Sequence, residues 1–145
     1  MRVVIQRVRS ASVSVDGREV ARIGQGAVAL VGFSADEAVA QQAAHRMAQR
    51  LLSLRLFDDA SGRLNRSLTD VGGELLLIPQ VTLTASLEKG TRPSFHTAAP
   101  PERAKPLFET LAASARGLYS KVATGAFQAH MVVALEHDGP VTFVL

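Results

Sequence analysis

The fold of this chain is decided near its start by the run Ala11-Ser12-Val13-Ser14-Val15-Asp16-Gly17-Arg18. Apolar and polar residues alternate over 11–15 and nearly alternate over 2–9, as they do in strands with one buried face. Asp16-Gly17 is a strong signal for a two-residue hairpin turn. The beginning of the chain therefore predicts antiparallel strands joined by a tight turn.

Further strands follow along the chain. The continuous apolar runs 27–33 and 75–78 predict buried strands, and a cluster of turn-forming residues over 58–62 predicts a loop. Residues 122–137 and 141–145 predict the two closing strands. Most of the chain is therefore expected to form β-sheet.

Two helices are predicted among these strands. Ser34, followed three residues later by Glu37, forms a capping-box pattern for a helix that runs to about Leu54. One face of that helix is apolar and comprises Val39, Ala43, Met47, Leu51 and Leu54. A second helix is predicted over about 101–119. The fold class is therefore α+β, with mostly antiparallel strands and two main helices in one domain over residues 1–145.

Composition limits the class of protein. A length of 145 residues with 47% hydrophobic residues is sufficient for one packed core. No apolar run approaches the roughly 20 residues of a membrane span, and the N-terminus lacks a signal peptide pattern. The absence of cysteine excludes disulfides and thiolate metal sites, which is consistent with a cytoplasmic location. A net charge of +3 is too small to indicate nucleic-acid binding by itself.

Three motifs combine an apolar strand pattern with residues that strand interiors avoid. They are Pro79-Gln80-Val81-Thr82-Leu83, Lys89-Gly90-Thr91-Arg92-Pro93-Ser94-Phe95 and Asp138-Gly139-Pro140-Val141-Thr142. Proline lacks an N–H and fixes φ, whereas glycine permits backbone conformations that other residues avoid. Gly139-Pro140 is therefore expected to break a strand and to present bare backbone, which suits recognition of small groups.

These motifs resemble the D-aminoacyl-tRNA deacylase family, and the resemblance extends over nearly the whole chain. Further blocks in the family's order are residues 1–8 with 11–13, 23–26, 65–68, 70–74 and 122–125 with Phe127. The family is similar in length and hydrolyses the ester that joins a D-amino acid, or glycine, to tRNA. The resemblance implies a barrel-like sheet, a homodimer and the aminoacylated acceptor end of tRNA as partner. No cofactor, DNA partner or membrane partner is expected.

Ester hydrolysis requires stabilisation of the negative oxygen that forms when water attacks the carbonyl, and backbone N–H groups can supply it. The central motif contains no His, Asp or Glu to act as a general base. The Thr82 hydroxyl would need an adjacent base to act as a nucleophile, so an ordinary backbone-bonding role is favoured. The resemblance implies that the backbone of Gln80, Val81 and Thr82 faces the ester. It also implies that the 2′-hydroxyl of the terminal adenosine assists catalysis.

The resemblance assigns substrate selection to Gly139 and Pro140. As a Gly-cisPro element they would enter the partner subunit's pocket and place two carbonyl oxygens where an L side chain must go. A D side chain points elsewhere and glycine has none, so glycine mischarged on tRNA-Ala would also be accepted. Arg7 aligns with an arginine that braces this element. Phe127 and Met131 align with the pocket floor, although an ordinary core role is equally open.

The basic residues and the histidines bear on nucleic-acid binding and metal binding. Lys89 and Arg92 flank the central motif and are expected to contact the tRNA acceptor end, with a merely solvated basic face as the alternative. His130 and His137 are seven residues apart on a predicted closing strand, which places them on opposite faces. No histidine pair has zinc-site spacing, so no metal is predicted.

Four positions depart from the family pattern, which usually has Ser and Phe at Pro79 and Val81, Asn at His137 and Gly at Gln128. A related branch with relaxed chirality shares the proline. Two alternatives therefore stay open: an enzyme that removes glycine or L-alanine from mischarged tRNA, or a non-catalytic domain that binds tRNA or a synthetase. The retained segment 138–142 favours rejection of L-aminoacyl esters, because changes at 79 and 81 do not remove the excluding carbonyls.

Overall fold

The computed structural model describes residues 1–35, 41–88 and 90–145. Eight strands are described, namely β1 Arg2–Val15, β2 Arg18–Ile23, β3 Gly26–Gly32, β4 Arg55–Asp58, β5 Leu64–Ser67, β6 Glu74–Pro79, β7 Val122–Thr124 and β8 Met131–Val144. The two α-helices of the described part are α1 Gln41–Ser53 and α2 Pro101–Leu118. A short 3₁₀ helix over Val81–Thr84 follows β6.

The main sheet is organised around the long strand β1. One edge of β1 pairs with β3 over residues 2–8 and with β2 over residues 11–15, and the other edge pairs with β8, all antiparallel. β6 and β7 then extend the sheet from β3 in parallel. The result is a nearly closed, barrel-like sheet, so the predicted α+β class with mostly antiparallel pairing is confirmed. The predicted hairpin is also confirmed, because Asp16 and Gly17 join β1 to β2 with φ angles of 50° and 75°.

Alternation along the central strands divides the apolar residues between two cores. Leu75 and Leu77 of β6 face the cluster that includes the buried faces of α1 and α2. Leu76 and Ile78 face the other cluster, together with Val28 of β3. Because β6 is apolar on both faces, its run of leucines is buried throughout, at about 1.5–3 kcal/mol for each large side chain. This buried strand carries the central motif at its end.

The helix boundaries agree closely with the sequence pattern where they are described. α1 ends at Ser53, one residue before the predicted end, and α2 begins at Pro101, where proline's missing N–H has no intrahelical role. The capping pattern involving Glu37, and the apolar position Val39, lie outside the described residues. Within the described ranges, no helix is long and apolar enough to cross a membrane.

The prediction of one closing strand over 122–137 is wrong. β7 ends at Thr124, residues 125–130 form a turn, and β8 begins only at Met131. Gln128 has a φ of 57°, a left-handed conformation that is incompatible with a strand. His130 therefore precedes β8 instead of lying on it, and the opposite-face prediction for His130 and His137 does not hold.

The strand that the apolar pattern of the central motif indicates does not continue beyond Pro79. β6 ends at Pro79, and Val81–Thr84 turns into the 3₁₀ helix. The Thr84 hydroxyl donates to the Val81 carbonyl at 2.9 Å, and the Ala85 N–H donates to the Thr82 carbonyl at 3.2 Å. These local bonds satisfy the backbone without a neighbouring strand. The motif therefore lies on a turn at the edge of the sheet.

Candidate active site

The ends of β3 and β6 open into a cavity of about 340 Å³. Its walls come from residues 31–33 at the end of β3, residues 78–81 at the end of β6, Ala99 with the start of α2, and residues 127–131 with Val133 at the start of β8. Most lining side chains are apolar. Because β3 and β6 run parallel, their carboxyl ends meet at this edge, which is a common position for ligand sites beside parallel strands.

Phe127 and Met131 both line this cavity. The Phe127 ring packs against Phe108 of α2 with 6.3 Å between ring centroids. A Cβ at Gly125 would lie 2.9 Å from the Met131 sulfur, so the absence of a side chain there makes room for the methionine. Phe127 and Met131 also contact the two buried clusters. The structure thus places each of them in the cavity wall and against the core.

The central motif presents backbone donors near the cavity. The Gln80 N–H is occupied, since it donates to the Val31 carbonyl at 2.7 Å. The N–H groups of Val81 and Thr82 stand at the start of the 3₁₀ helix, where no preceding turn offers a carbonyl. No hydrogen bond joins either group to another part of residues 1–35, 41–88 or 90–145. These two N–H groups therefore lack an acceptor within the described chain.

The Thr82 hydroxyl has no base beside it. Its partner is the Gln80 side-chain amide, whose Nε2 donates to Thr82 Oγ1. An amide N–H cannot take up a proton, and no carboxylate or imidazole of the described chain hydrogen-bonds to Thr82. The geometry around Thr82 therefore lacks the nucleophile–base pair that a threonine nucleophile requires.

Pro79 fits the end of β6 without loss of a ladder bond. Successive N–H groups of a strand point to opposite sides, and the Gln80 N–H points towards β3. The Pro79 nitrogen therefore points towards β7, whose pairing with β6 ends at Leu77 and Thr124. Nothing in that ladder needs an N–H at position 79.

Gln128 and His130 also line the cavity, and sequence reasoning did not include them in the site. Gln128 stands where the resembled family usually has glycine, and its φ of 57° is a conformation that glycine adopts without strain. That departure from glycine was the one available signal for a turn at this position. For His130, the sequence held no comparable signal.

Gly139 and Pro140 lie on a large bulge of β8. Gln6 pairs with Thr142 and Val8 pairs with His137, so the four residues 138–141 oppose Arg7 alone. β8 therefore continues past Gly139-Pro140, contrary to the predicted strand break, because the extra residues loop out of the ladder. Gly139 has a φ of 125°, which favours glycine, and the Gly139–Pro140 peptide bond is cis. Both residues are exposed and neither lines the cavity of its own chain.

Arg7 is buried beneath this bulge, with 7% of its surface exposed. Its Nε lies 2.9 Å from Asp138 Oδ2 and 3.3 Å from the Asp138 carbonyl oxygen. Its Nη1 donates to the Leu56 carbonyl at 3.0 Å and to Asp58 Oδ2 at 3.1 Å. A buried guanidinium requires such partners, and these fix Arg7 against the residue that precedes Gly139.

The expected tRNA-contacting residues are described only in part. Lys89 lies outside the described residues. Arg92 is exposed on the loop between Ser86 and Ser94, whose backbones exchange hydrogen bonds of 2.8 Å and 2.9 Å. The structure therefore leaves Arg92 accessible on a loop that follows the 3₁₀ helix.

The predicted site residues thus form two groups. Gln80, Val81, Phe127 and Met131 line one cavity, and Thr82 is joined to it through Gln80. The second group consists of Arg7, Gly139 and Pro140, which meet at the bulge of β8. Among the described residues, no group of three or more His, Asp or Glu side chains is placed to hold a metal ion.

Comparison of the sequence and structure with those of known proteins shows the family of this chain. The sequence profile of D-Tyr-tRNA(Tyr) deacylase matches residues 4–145. A D-aminoacyl-tRNA deacylase of Thermomicrobium roseum is 52% identical over 147 residues, covering 100% of this chain and 93% of that protein. A D-aminoacyl-tRNA deacylase of Nitrosococcus oceani is 51% identical over 142 residues, covering 98% and 90% respectively.

Solved structures show the same architecture. The c-Myc DNA Unwinding Element Binding Protein superposes with a TM-score of 0.92 at 36% identity, covering 100% of this chain and 97% of that one. A probable eukaryotic D-amino acid tRNA deacylase has a TM-score of 0.87 at 19% identity, with 99% and 97% coverage, which shows likeness of fold alone.

Fold, site and relatives together define an enzyme of the hydrolase class. The chain belongs to the D-Tyr-tRNA(Tyr) deacylase family, and D-aminoacyl-tRNA deacylation is its activity.

Proposed function

We propose that the cavity binds the aminoacylated end of tRNA and that catalysis relies on backbone donors and on the RNA itself. The observation that carries this proposal is that the central motif combines backbone donors with the absence of a general base. Val81 and Thr82 offer N–H groups without protein acceptors, and the Thr82 hydroxyl has no base. A site of this composition stabilises charge but does not itself remove a proton.

The chemistry follows from that composition. Water attacks the ester carbonyl, and the resulting oxyanion accepts hydrogen bonds from the Val81 and Thr82 N–H groups, each of which can contribute about 3 kcal/mol. The carbon–oxygen bond to the ribose then breaks, and the 3′-oxygen takes the proton that the water loses. The neighbouring 2′-hydroxyl of the adenosine both donates and accepts hydrogen bonds, so it can orient the water and relay this proton.

Rejection of L-amino acids is assigned to Gly139 and Pro140 acting in the partner subunit's cavity. Two observations support this assignment: both residues are exposed, and neither lines the cavity of its own chain. The bulge takes them out of the ladder between β1 and β8, and Arg7 holds its first residue, Asp138. D-aminoacyl and glycyl esters would be accepted, including glycine mischarged on tRNA-Ala, because neither directs a side chain towards the carbonyls.

This assignment requires a homodimer. β8 offers a surface for it, since large apolar side chains are exposed along the strand, namely Val132, Val133, Leu135, Phe143 and Val144. Contiguous exposed apolar surface marks protein interaction sites. Sedimentation at micromolar concentration should therefore show a dimer. A fully active monomer would refute the action of Gly139 and Pro140 in the partner subunit's cavity.

We place the enzyme in the cytoplasm, where its tRNA substrate is charged. Lys89 and Arg92 would contact the acceptor end of that tRNA.

The test is hydrolysis of matched substrates by the full chain. D-tyrosyl-tRNA and glycyl-tRNA should be cleaved, L-tyrosyl-tRNA should be spared, and D-tyrosyl-tRNA ending in 2′-deoxyadenosine should react very slowly. Comparable cleavage of both enantiomers would favour the relaxed-chirality alternative. Binding of tRNA without cleavage of any ester would favour the non-catalytic alternative, and full activity on the deoxy substrate would remove the role of the RNA.

A further inference from the structure

His137 lies at one end of the bulge that carries Gly139 and Pro140. It is partly buried and is the last β8 residue paired with β1 before the bulge. Its Nε2 lies 3.1 Å from the carbonyl oxygen of Val141, the last residue of the bulge. The imidazole therefore spans the base of the bulge and joins its two ends.

The chemistry of this contact determines where the proton lies. A carbonyl oxygen only accepts hydrogen bonds, so Nε2 must carry a hydrogen to bond with Val141. Thr142 Oγ1 lies 3.2 Å from the same Nε2 and also accepts a hydrogen bond from the Gln6 side-chain amide at 3.3 Å. An Nε2–H donor is consistent with the contacts to Val141 and Thr142 and with the bond from Gln6 to Thr142. Both the neutral Nε2–H tautomer and the imidazolium provide this donor.

We propose that His137 is a positioning residue for enantiomer rejection, which rests on the function proposed for Gly139 and Pro140. Arg7 holds the bulge at Asp138, and His137 holds it at Val141, so the two carbonyls between them are oriented from both ends. His137 does not line the cavity of its own chain. It acts through the direction of the bulge, and its loss weakens rejection of L-aminoacyl esters more than hydrolysis of D-aminoacyl esters.

The departure from asparagine at this position has a physical consequence. Asparagine and histidine both place an N–H donor on a short planar side chain, so the exchange keeps a donor. The imidazole extends further from the backbone than the asparagine amide. This length lets His137 reach across the bulge to Val141, and glutamine is the amide that matches its reach.

The experiment compares kcat/KM for D-tyrosyl-tRNA and L-tyrosyl-tRNA in four full-length proteins. These are the unaltered enzyme, His137→Ala, His137→Gln and the control His45→Ala, which changes an exposed residue of α1. Loss of one neutral hydrogen bond predicts that His137→Ala lowers the D/L ratio by about two- to tenfold. His137→Gln should restore most of the ratio, and His45→Ala should leave it unchanged.

The outcomes separate this inference from the function on which it rests. If the unaltered enzyme does not discriminate, the role of Gly139 and Pro140 fails, and the inference falls with it. If the unaltered enzyme discriminates but His137→Ala keeps the same D/L ratio, the inference alone is overturned. An equal loss of both rates in the alanine variant, without rescue by glutamine, would show a merely structural residue. Thermal unfolding of each variant verifies that the compared proteins are folded.

Discussion

Replacement of Thr82 by alanine distinguishes a mechanism in which backbone N–H groups stabilise the oxyanion from one in which the Thr82 hydroxyl attacks the ester. The substitution removes a hydroxyl that accepts one hydrogen bond from the Gln80 amide, but it leaves the Thr82 backbone N–H in place. If the backbone stabilises the oxyanion, this donor survives the substitution. If the hydroxyl attacks the ester, the nucleophile is lost.

The expected magnitude follows from the contacts that disappear. Thr82 is exposed, so little packing is lost, and one side-chain hydrogen bond contributes about 0.5–1.5 kcal/mol. Looser placement of Gln80 should therefore lower kcat/KM by no more than about tenfold. Removal of a catalytic nucleophile costs far more, about a millionfold in a serine protease.

Single-turnover hydrolysis of D-tyrosyl-tRNA, with enzyme in excess, measures the chemical step directly. Thr82→Ser retains the hydroxyl and is the matched control, which should behave like the unaltered enzyme. The reasoning is refuted if Thr82→Ala is folded, binds tRNA normally and loses more than about a thousandfold in rate while Thr82→Ser remains active. That pattern would require a threonine nucleophile and a base that the described chain does not show.

Four further predictions concern stability and substrate binding. Gly26→Ala should destabilise the fold by about 3 kcal/mol in urea unfolding, because the new Cβ would lie 1.9 Å from the Glu74 carbonyl oxygen. Gly117→Ala on α2, where a new Cβ would meet nothing within 4 Å beyond its chain neighbours and the helix's own backbone, should instead stabilise by up to about 1 kcal/mol. The pKa of Asp59 is lowered to about 2, first by the Ser61 hydroxyl and then by backbone N–H groups. Its contribution to stability is therefore complete above about pH 4 and is lost as pH falls towards 2, and Asp59→Asn should flatten the dependence of Tm on pH in that window. Arg92→Ala should weaken tRNA binding and reduce the slope of log Kd against log salt by about one, whereas an unchanged slope would place Arg92 on a solvated face.

The elements with strong local signals were predictable from the sequence. The hairpin at Asp16-Gly17 and the second helix from Pro101 depend on turn and capping chemistry that acts within a few residues. The turn at Gln128 was missed, because its one signal was the departure from the family's glycine and the apolar pattern of 122–137 continues through it. The 3₁₀ helix after Pro79 was hidden for a similar reason, since Val81-Thr82-Leu83 has high strand propensity.

The site was only partly accessible to sequence reasoning. Gln80, Val81, Phe127 and Met131 were predicted from the resemblance, and the structure brings them to one cavity. The wall formed by the start of α2 was missed, because its contact with the ends of β3 and β6 depends on packing between segments distant in sequence. The contact between His137 and Val141 was likewise hidden, since it exists only because residues 138–141 loop out of the ladder.

The length of β1 has a consequence for synthesis of the protein. β8 completes the second edge of β1 over residues 4–15, and it is synthesised after all the other described strands. Pairs such as Val4 with Val144 close loops of almost the whole chain, and such non-local contacts slow folding. We therefore expect nascent chains to leave the ribosome with β1 half-paired, so that the barrel closes only after β8 has emerged. Ribosome-stalled chains truncated before Met131 should remain sensitive to protease, and resistance in those chains would show that the rest of the sheet folds without β8.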